Sequence, residues 1–182
     1  MVAWMHPKSP AGTGMKPGQR IVVISGDTAS GKSSLARALI HDLDENWHLL
    51  QADDFIGPAN RERAGQGQWD PDGRIICRRM LNDAAVWWVE CKKVSLVVEG
   101  FFKEAGEIDH LLAAVGVPAE DDRALILHLL VSEGEAGQRR TKEVPRFAEV
   151  HPKAITFNSD GKSLAQAVEW AWGVIRQGPM RD

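Results

Sequence analysis

The sequence predicts an α/β fold in which a parallel sheet carries helices on both faces. Short apolar segments rich in β-branched residues, such as 21–24 (IVVI) and 94–98 (VSLVV), alternate along the chain with amphipathic segments of helical periodicity. Continuous apolar runs of this length are typical of strands that are buried on both sides. The alternation favours a parallel sheet, because each helix can form the crossover between two strands.

The expected elements follow one another in a regular order. The predicted strands are residues 21–24, 47–52, 94–98, 124–131 and 154–157. The predicted helices are residues 31–43, 74–92, 108–115 and 133–143, and a last one with apolar positions Leu164, Val168, Ala171 and Ile175. Residues 163–166 (SLAQ) fit a capping box at the start of that last helix. Residues 57–73 are polar and rich in Gly and Pro, which predicts a loop.

The helix predicted over residues 74–92 carries an apolar stripe that we expect to face the core. The stripe consists of Cys77, Met80, Leu81, Ala84, Trp88 and Cys91. Its two cysteines are the only ones in the chain. Their separation along a helix is roughly 21 Å, which excludes a disulfide between them. We expect both thiols, and also His128 in the fourth strand, to be packed core groups, with the histidine nitrogens hydrogen-bonded.

Composition limits the classes of function. The 182 residues include 22 Lys and Arg against 25 Asp and Glu, which gives a net charge of −3. This balance argues against a nucleic-acid partner, because non-specific binding to a polyanion needs a basic surface. No apolar run approaches the roughly 18 residues of a membrane helix, so no membrane partner is expected. We expect a cytoplasmic protein, either a monomer or a homodimer.

Residues 1–19 are expected to form a flexible N-terminal tail that precedes a single domain at 20–182. The segment holds three Pro and three Gly and has no apolar stretch like that of a secretory signal.

The most specific motif lies between the first strand and the first helix. Residues 26–33 (GDTASGKS) match G-x-x-x-x-G-K-S/T in full. Backbone N–H groups of such a loop wrap a polyphosphate, and the following helix N-terminus adds partial positive charge. Lys32 is then expected to reach the β- and γ-phosphates and Ser33 to hold Mg²⁺. The expected contacts of ATP are Gly26, Asp27, Thr28, Ala29, Ser30, Gly31, Lys32, Ser33 and Ser34.

Carboxylates follow the second and third predicted strands. Asp53 and Asp54 come at the end of the second strand, and Glu99 comes at the end of the third. Ligands of open α/β sheets bind at this edge, and transfer of phosphate to a hydroxyl needs a carboxylate that orients the hydroxyl or takes its proton. A solvated turn or a helix cap is the alternative for the aspartates, and an ordinary strand-end acid is the alternative for Glu99. The guanine-reading N-K-x-D of a GTPase switch is absent from the sequence.

Three segments that follow the phosphate loop in the chain resemble those of nicotinamide riboside kinases. These enzymes belong to the uridine-kinase-like group of P-loop kinases. They are residues 51–55 (QADDF), 68–70 (QWD) and 98–101 (VEGF). We therefore expect a three-layer P-loop kinase fold whose five-stranded parallel sheet has the order 2-3-1-4-5.

The resemblance implies a role for each matching residue. Asp53 would be the catalytic acid near magnesium, and Glu99 would contact the metal shell or the sugar. Trp69 would stack on the nicotinamide ring and Asp70 would bind the ribose hydroxyls. The complete set expected at the acceptor is Asp53, Asp54, Phe55, Trp69, Asp70 and Glu99, and the set expected at the metal is Ser33, Asp53 and Glu99.

Paired arginines, Arg139 and Arg140, follow the fourth strand, where small-molecule kinases of this class carry a lid. With Lys32, they are expected to stabilise the charge of the transferred phosphate. A solvated helix face is the alternative. Residues 158–161 (NSDG) resemble the loop that contacts adenine in related kinases, and a plain turn fits them equally well.

The sequence therefore predicts phosphoryl transfer from ATP, with Mg²⁺, to a hydroxyl of a small nucleoside-like molecule, with nicotinamide riboside as the leading candidate. One alternative is a kinase of another small acceptor, namely an antibiotic, a sugar acid or a nucleotide. The other is a nucleotide-binding regulatory module that has no acceptor.

Overall fold

A computed structural model describes residues 14–56, 71–139 and 148–177 of the chain. Its strands are β1 (Ile21–Gly26), β2 (Trp47–Gln51), β3 (Ser95–Glu99), β4 (Ala124–Leu130) and β5 (Ile155–Asn158). All neighbouring strands pair in parallel, in the order β2-β3-β1-β4-β5. The predicted fold class and strand order are therefore confirmed. Because the strands are parallel, their carboxyl ends meet at one edge of the sheet.

The helices lie on both faces of this sheet. They are α1 (Lys32–Asp42), α2 (Pro71–Trp87), α3 (Ala105–Ala114), α4 (Glu133–Arg139) and α5 (Leu164–Gln177). A turn of 3₁₀-helix (Ala52–Phe55) follows β2, and a π-helical segment (Trp88–Lys92) follows α2. None of the helices in the described ranges is both long and apolar enough to cross a membrane.

Two start signals explain where helices begin. Helix α2 begins at Pro71, three residues earlier than expected, since proline suits the first helical position. The predicted capping box is present before α5. The Ser163 N–H donates to Gln166 Oε1 over 2.9 Å, and the Gln166 N–H donates to Ser163 Oγ over 3.3 Å.

The central strand β1 divides the core between the two faces. Ile21 and Val23 belong to one buried cluster, with side chains of α2 and α3 such as Leu81 and Leu111. The alternate β1 residues pack into a second cluster with side chains of α1 and α5. The continuous apolar run of β1 follows from this burial on both sides.

The buried face of α2 differs from the predicted stripe. The residues in the core are Leu81, Ala85 and Val89, whereas Met80 is 47% exposed. Cys91 is exposed and Cys77 is half-buried, so the expectation that both thiols are packed in the core was wrong. One cause is the π-helical segment, whose i→i+5 hydrogen bonds shift the phase of the helix before Cys91.

Trp88 of the predicted stripe packs at the edge of the sheet. Its ring stacks on His48 of β2, with ring centroids 3.4 Å apart. Burial against this indole lowers the pKa of His48 below its ordinary value.

Residues 14–19 pack against the domain, although we expected them to be part of the flexible tail. Met15 is 7% exposed and belongs to the core cluster that includes Ile21. Gln19 Nε2 donates to the carbonyl oxygens of Val89 (3.1 Å) and Val94 (3.0 Å). These partners are distant in the sequence, so local composition does not reveal them. The rest of the expected tail, residues 1–13, lies outside the described residues.

Hydrogen bonds of Arg123 connect this N-terminal segment to the start of β4. Its guanidinium donates to the Met15 carbonyl oxygen (2.9 Å) and to both carboxylate oxygens of Asp121 (2.9 and 2.6 Å). The hydrogen bonds from Arg123 lower the pKa of Asp121 to about 2. The charged form of Asp121 is therefore favoured in the folded state.

We expect Asp121→Asn to lower the free energy of unfolding by about 1 kcal/mol at pH 7, after allowance for solvent screening. Because the folded pKa is depressed, the wild-type contribution is present above the unfolded pKa of 3.8 and is lost as pH falls towards 2. The difference between variant and wild type should narrow over that range. Urea unfolding at pH 7, 4 and 3 measures this difference in the free energy of unfolding. The control variant is Glu120→Gln, at an exposed neighbouring residue. A difference independent of pH would contradict this account.

Candidate active site

The phosphate loop, residues 26–33, connects β1 directly to α1, as the sequence predicts. Gly26 (φ 137°) and Gly31 (φ 96°) adopt conformations that favour glycine. A Cβ atom on Gly26 would overlap the carbonyl oxygen of Leu129 in β4. The loop therefore passes closer to the end of β4 than any residue with a side chain would allow.

Lys32 points into the loop. Its side-chain ammonium donates to the carbonyl oxygen of Asp27 over 2.6 Å, and the residue is buried. Of the other predicted nucleotide contacts, Asp27, Thr28 and Ser30 are buried, Ala29 is half-buried and Ser34 is exposed. The fold thus places a cation within the phosphate loop, an arrangement that suits a polyphosphate.

Glu99 lies beside the phosphate loop at the end of β3. It is opposite Gln51 of β2, whose Nε2 donates to its Oε2 over 3.0 Å. The Ser33 hydroxyl lies near the same carboxylate. Burial raises the pKa of Glu99 above its ordinary value, while the bond from Gln51, the nearby Ser33 hydroxyl and the charge of Lys32 oppose the rise. The carboxyl ends of β1 and β3 thereby bring Lys32, Ser33 and Glu99 together.

Asp53 and Asp54 lie in the 3₁₀ turn that follows β2, and both are exposed. The charge of Asp53 acts on Glu99 and contributes to the rise in its pKa, so the two carboxylates are neighbours. The side chain of Phe55 packs against the core, and its carbonyl oxygen accepts from Cys77 Sγ (3.2 Å). The remaining predicted residues of the acceptor site, Trp69 and Asp70, lie outside the described residues and stay predictions.

Arg139, at the end of α4, contacts the phosphate loop. Its Nη1 donates to the carbonyl oxygen of Ala29 (3.2 Å), and its Nη2 donates to that of Ser159 (2.7 Å). Glu135, one helical turn earlier, accepts from its Nε (3.0 Å). Arg139 thus joins the loop to the turn at residues 158–161. Its contact with a γ-phosphate stays a prediction, and Arg140 lies outside the described residues.

Arg78 of α2 is a charged residue of this region that the sequence analysis missed. Its Nη2 donates to the Phe101 carbonyl oxygen, and its guanidinium lies 4.3 Å from the centre of the Phe102 ring. Burial lowers the pKa of Arg78, whereas the charges of Glu107 and Asp53 raise it. Glu107 also pairs with Arg74. The four-residue spacing of Arg74 and Arg78 on one helix was the available signal, since residues so spaced share a face.

His128 differs from the expectation. It is fully buried in β4, in register with Ser25 of β1, and neither ring nitrogen has a protein hydrogen-bond partner among the described residues. The expectation of a hydrogen-bonded histidine was therefore wrong. Burial lowers the pKa of His128, which favours the neutral ring and reduces the cost of leaving it unpaired.

We expect Gly26→Ala to weaken nucleotide binding at least tenfold. The added methyl group would force the loop away from Leu129, and backbone strain alone would cost about 1–3 kcal/mol of stability. Gly134→Ala in α4 is the matched control, because a Cβ there meets no atom within 4 Å. Titration with a fluorescent ATP analogue and thermal unfolding test both variants. Wild-type affinity in Gly26→Ala would show that the close approach has no role in binding.

Comparison with known proteins is consistent with this site. The family model described as chloramphenicol phosphotransferase-like protein matches residues 19–94, from just before β1 to just after the π-helical segment. This is less than half of the chain. No curated protein shows significant sequence similarity to this chain.

Several solved kinase structures share the fold. A sugar kinase from Janibacter sp. HTCC2649 is 18% identical, with a TM-score of 0.63, over 88% of this chain and 95% of that one. A gluconokinase from Sinorhizobium meliloti 1021 is 17% identical, with a TM-score of 0.61, over 85% and 90% of the two chains. The thymidylate kinase of Candida albicans is 15% identical, with a TM-score of 0.60, over 87% and 92%. Together, the partial family match and these shared folds support a small-molecule kinase or phosphotransferase.

Proposed function

We propose that the protein transfers the γ-phosphate of ATP, with Mg²⁺, to a hydroxyl group of a small molecule. The observation that carries this proposal is the meeting of Lys32, Ser33 and Glu99 at the carboxyl edge of the sheet, with Asp53 beside them. A loop that only held a nucleotide would not require a second carboxylate at the next strand end.

Each of these residues has a distinct task in the proposed reaction. Lys32 leaves the Asp27 carbonyl oxygen and binds the β- and γ-phosphates. Asp53, exposed at the end of β2, accepts a hydrogen bond from the acceptor hydroxyl and takes its proton as the new P–O bond forms. The bond between the γ-phosphorus and the bridging oxygen breaks, and ADP leaves with that oxygen. Arg139 of α4 is already in contact with Ala29 and would stabilise the charge on the transferred phosphate.

The residues present fit Mg²⁺. This ion prefers oxygen ligands and usually binds through one or two carboxylates together with the phosphates of a substrate. The Ser33 hydroxyl lies near the Glu99 carboxylate, and Asp53 is also close to Glu99. No group of three or more His, Cys, Asp or Glu side chains in the described ranges could by itself hold a metal. When bound, the ion would neutralise charge that develops on the phosphate oxygens.

For the acceptor, we propose a nucleoside-like molecule, with nicotinamide riboside first. The support is the resemblance of residues 51–55, 68–70 and 98–101 to nicotinamide riboside kinases. In this proposal Trp69 stacks on the cationic ring and Asp70 binds the vicinal hydroxyls, since an aromatic face attracts a cation and a carboxylate accepts from both hydroxyls. Asp54 and Phe55 complete the site.

Two observations favour other acceptors. The family model that matches residues 19–94 names chloramphenicol phosphotransferase, which makes a phenicol antibiotic the second candidate. The half-buried cation Arg78, whose charge interacts with that of Asp53, suits an acceptor with a carboxylate or a phosphate, such as a sugar acid or a nucleotide. The kinase is further proposed to be cytoplasmic, a monomer or homodimer, and without a nucleic-acid partner.

The test is ADP release from Mg·ATP in the presence of a panel of acceptors. The panel holds nicotinamide riboside, uridine, gluconate, a nucleoside monophosphate, chloramphenicol and an aminoglycoside. A rise of tenfold or more with one compound assigns the acceptor, and mass spectrometry of the product then locates the phosphate. A slow rate that no compound raises would favour the regulatory module, in which nucleotide is bound without an acceptor.

We expect Asp53→Asn to reduce acceptor-stimulated turnover by roughly 10²- to 10⁴-fold, because an amide cannot take the hydroxyl proton. Nucleotide affinity should change by less than about threefold, since the phosphate loop is intact. Asp44→Asn, an exposed aspartate before β2, is the matched control and should behave as wild type. Unchanged turnover in Asp53→Asn would remove this residue from the mechanism.

A further inference from the structure

A carboxylate is buried within the phosphate loop itself. Asp27, its second residue, is only 3% exposed. Its Oδ2 accepts the backbone N–H of Val131 over 3.1 Å, and its Oδ1 accepts that of Ala148 over 3.0 Å. A buried carboxylate is strongly unfavourable unless such donors satisfy it. Each oxygen of Asp27 therefore has a backbone donor from another part of the chain.

The two amides flank helix α4. Val131 directly follows β4 and precedes the first residue of α4, Glu133, by two positions. Ala148 lies nine positions after Arg139, the last residue of α4. One side chain of the phosphate loop thus accepts backbone N–H groups from the chain before and after the helix that carries Arg139.

The flank at Ala148 is anchored a second time, to the start of α3. The Glu149 N–H donates to the Lys103 carbonyl oxygen (3.0 Å), and Glu149 Oε2 accepts the Ala105 N–H (2.8 Å). Two residues later, the buried His151 ring lies 3.0 Å from the Asp109 carboxylate. Because these bonds fix the segment, the Ala148 amide is held in place for Asp27.

The backbone of Asp27 also contacts Lys32, which would bind nucleotide, and the end of β4. Its carbonyl oxygen accepts from the Lys32 ammonium, and its N–H donates to Leu129 in β4 (3.0 Å). A negative charge in a loop that binds polyphosphate opposes that binding, so the carboxylate does not contribute attraction. The buried position of the Asp27 carboxylate is explained by its hydrogen bonds to the Val131 and Ala148 amides.

We propose that Asp27 is a positioning residue that couples the phosphate loop to α4. Its side chain holds Val131, two residues before α4, and Ala148, which follows α4 in the chain, and its backbone bonds Lys32 and the end of β4. This keeps Arg139 against Ala29 and the turn at residues 158–161. The catalytic consequence rests on the proposed function, whereas the structural coupling does not.

The test is Asp27→Asn, which keeps the size of the side chain. An amide has one acceptor oxygen, and its NH₂ group would face the second backbone N–H, so at least one of the two bonds is lost. Amide hydrogen exchange at Val131 or Ala148, followed by NMR, should accelerate at least tenfold, while exchange at Leu127 inside β4 stays unchanged. With the acceptor identified, kcat should fall at least tenfold and the KM for ATP should change less than threefold.

Asp121→Asn is the control for lost stability. Asp121 also accepts a backbone N–H, that of Arg123 over 2.9 Å, and it lies at the start of β4, at the other end of the strand from the phosphate loop. This variant should leave kcat and the exchange of Val131 and Ala148 unchanged. Equal loss of kcat in both variants, in proportion to stability, would mean that Asp27 is only structural and would overturn the proposal.

The wild-type protein provides a test that needs neither a folded variant nor an acceptor. The Val131 and Ala148 amides should be protected from exchange to an extent similar to that of Leu127. Rapid exchange at both would overturn the coupling. Failure to find an acceptor would count against the proposed function alone, because the exchange measurements would still decide the role of Asp27.

Discussion

The pairing of β1 between β3 and β4 is the constraint on which the site depends. Its register sets Gly26 against Leu129, where no side chain fits, and so determines where the chain must turn. The same sheet places Glu99 at the end of β3, beside Ser33. A shift of register would separate the loop from the carboxylate, because each strand end contributes one part of the site. Burial of β1 on both faces makes such a shift strongly unfavourable.

The charged groups around the phosphate loop have polar or charged partners. Glu99 is buried, and this raises its pKa, yet Gln51, Ser33 and Lys32 support its charged form. The charges of Glu107 and Asp53 act on Arg78 in α2. Asp27 is held by two backbone amides. Each charged group thus has a partner on another element, which is what a preorganised site for a highly charged substrate requires.

The sequence predicted the features that depend on local pattern. The five strands and the position of the phosphate loop were expected from apolar runs, helical periodicity and the motif at residues 26–33. The strand order was expected from the resemblance to P-loop kinases, and the structure confirms the fold and this order. The capping box at Ser163 was also expected and is present. The predicted buried face of α2 was wrong in part, since Met80 and Cys91 are exposed. A π-helical segment at residues 88–92 shifts the phase of the helix around Cys91.

Residues that act through distant partners could not be found in this way. Met15 and Gln19 looked like tail residues, since their contacts lie about 70 to 100 positions away in the chain. Asp27 was counted among the nucleotide contacts, whereas its side chain holds Val131 and Ala148. The sequence by itself determined the strand–loop–helix unit, because propensity and motif act over a few residues. Only the tertiary structure decided which carboxylates meet and which amides they hold, since these contacts depend on how strands and helices pack.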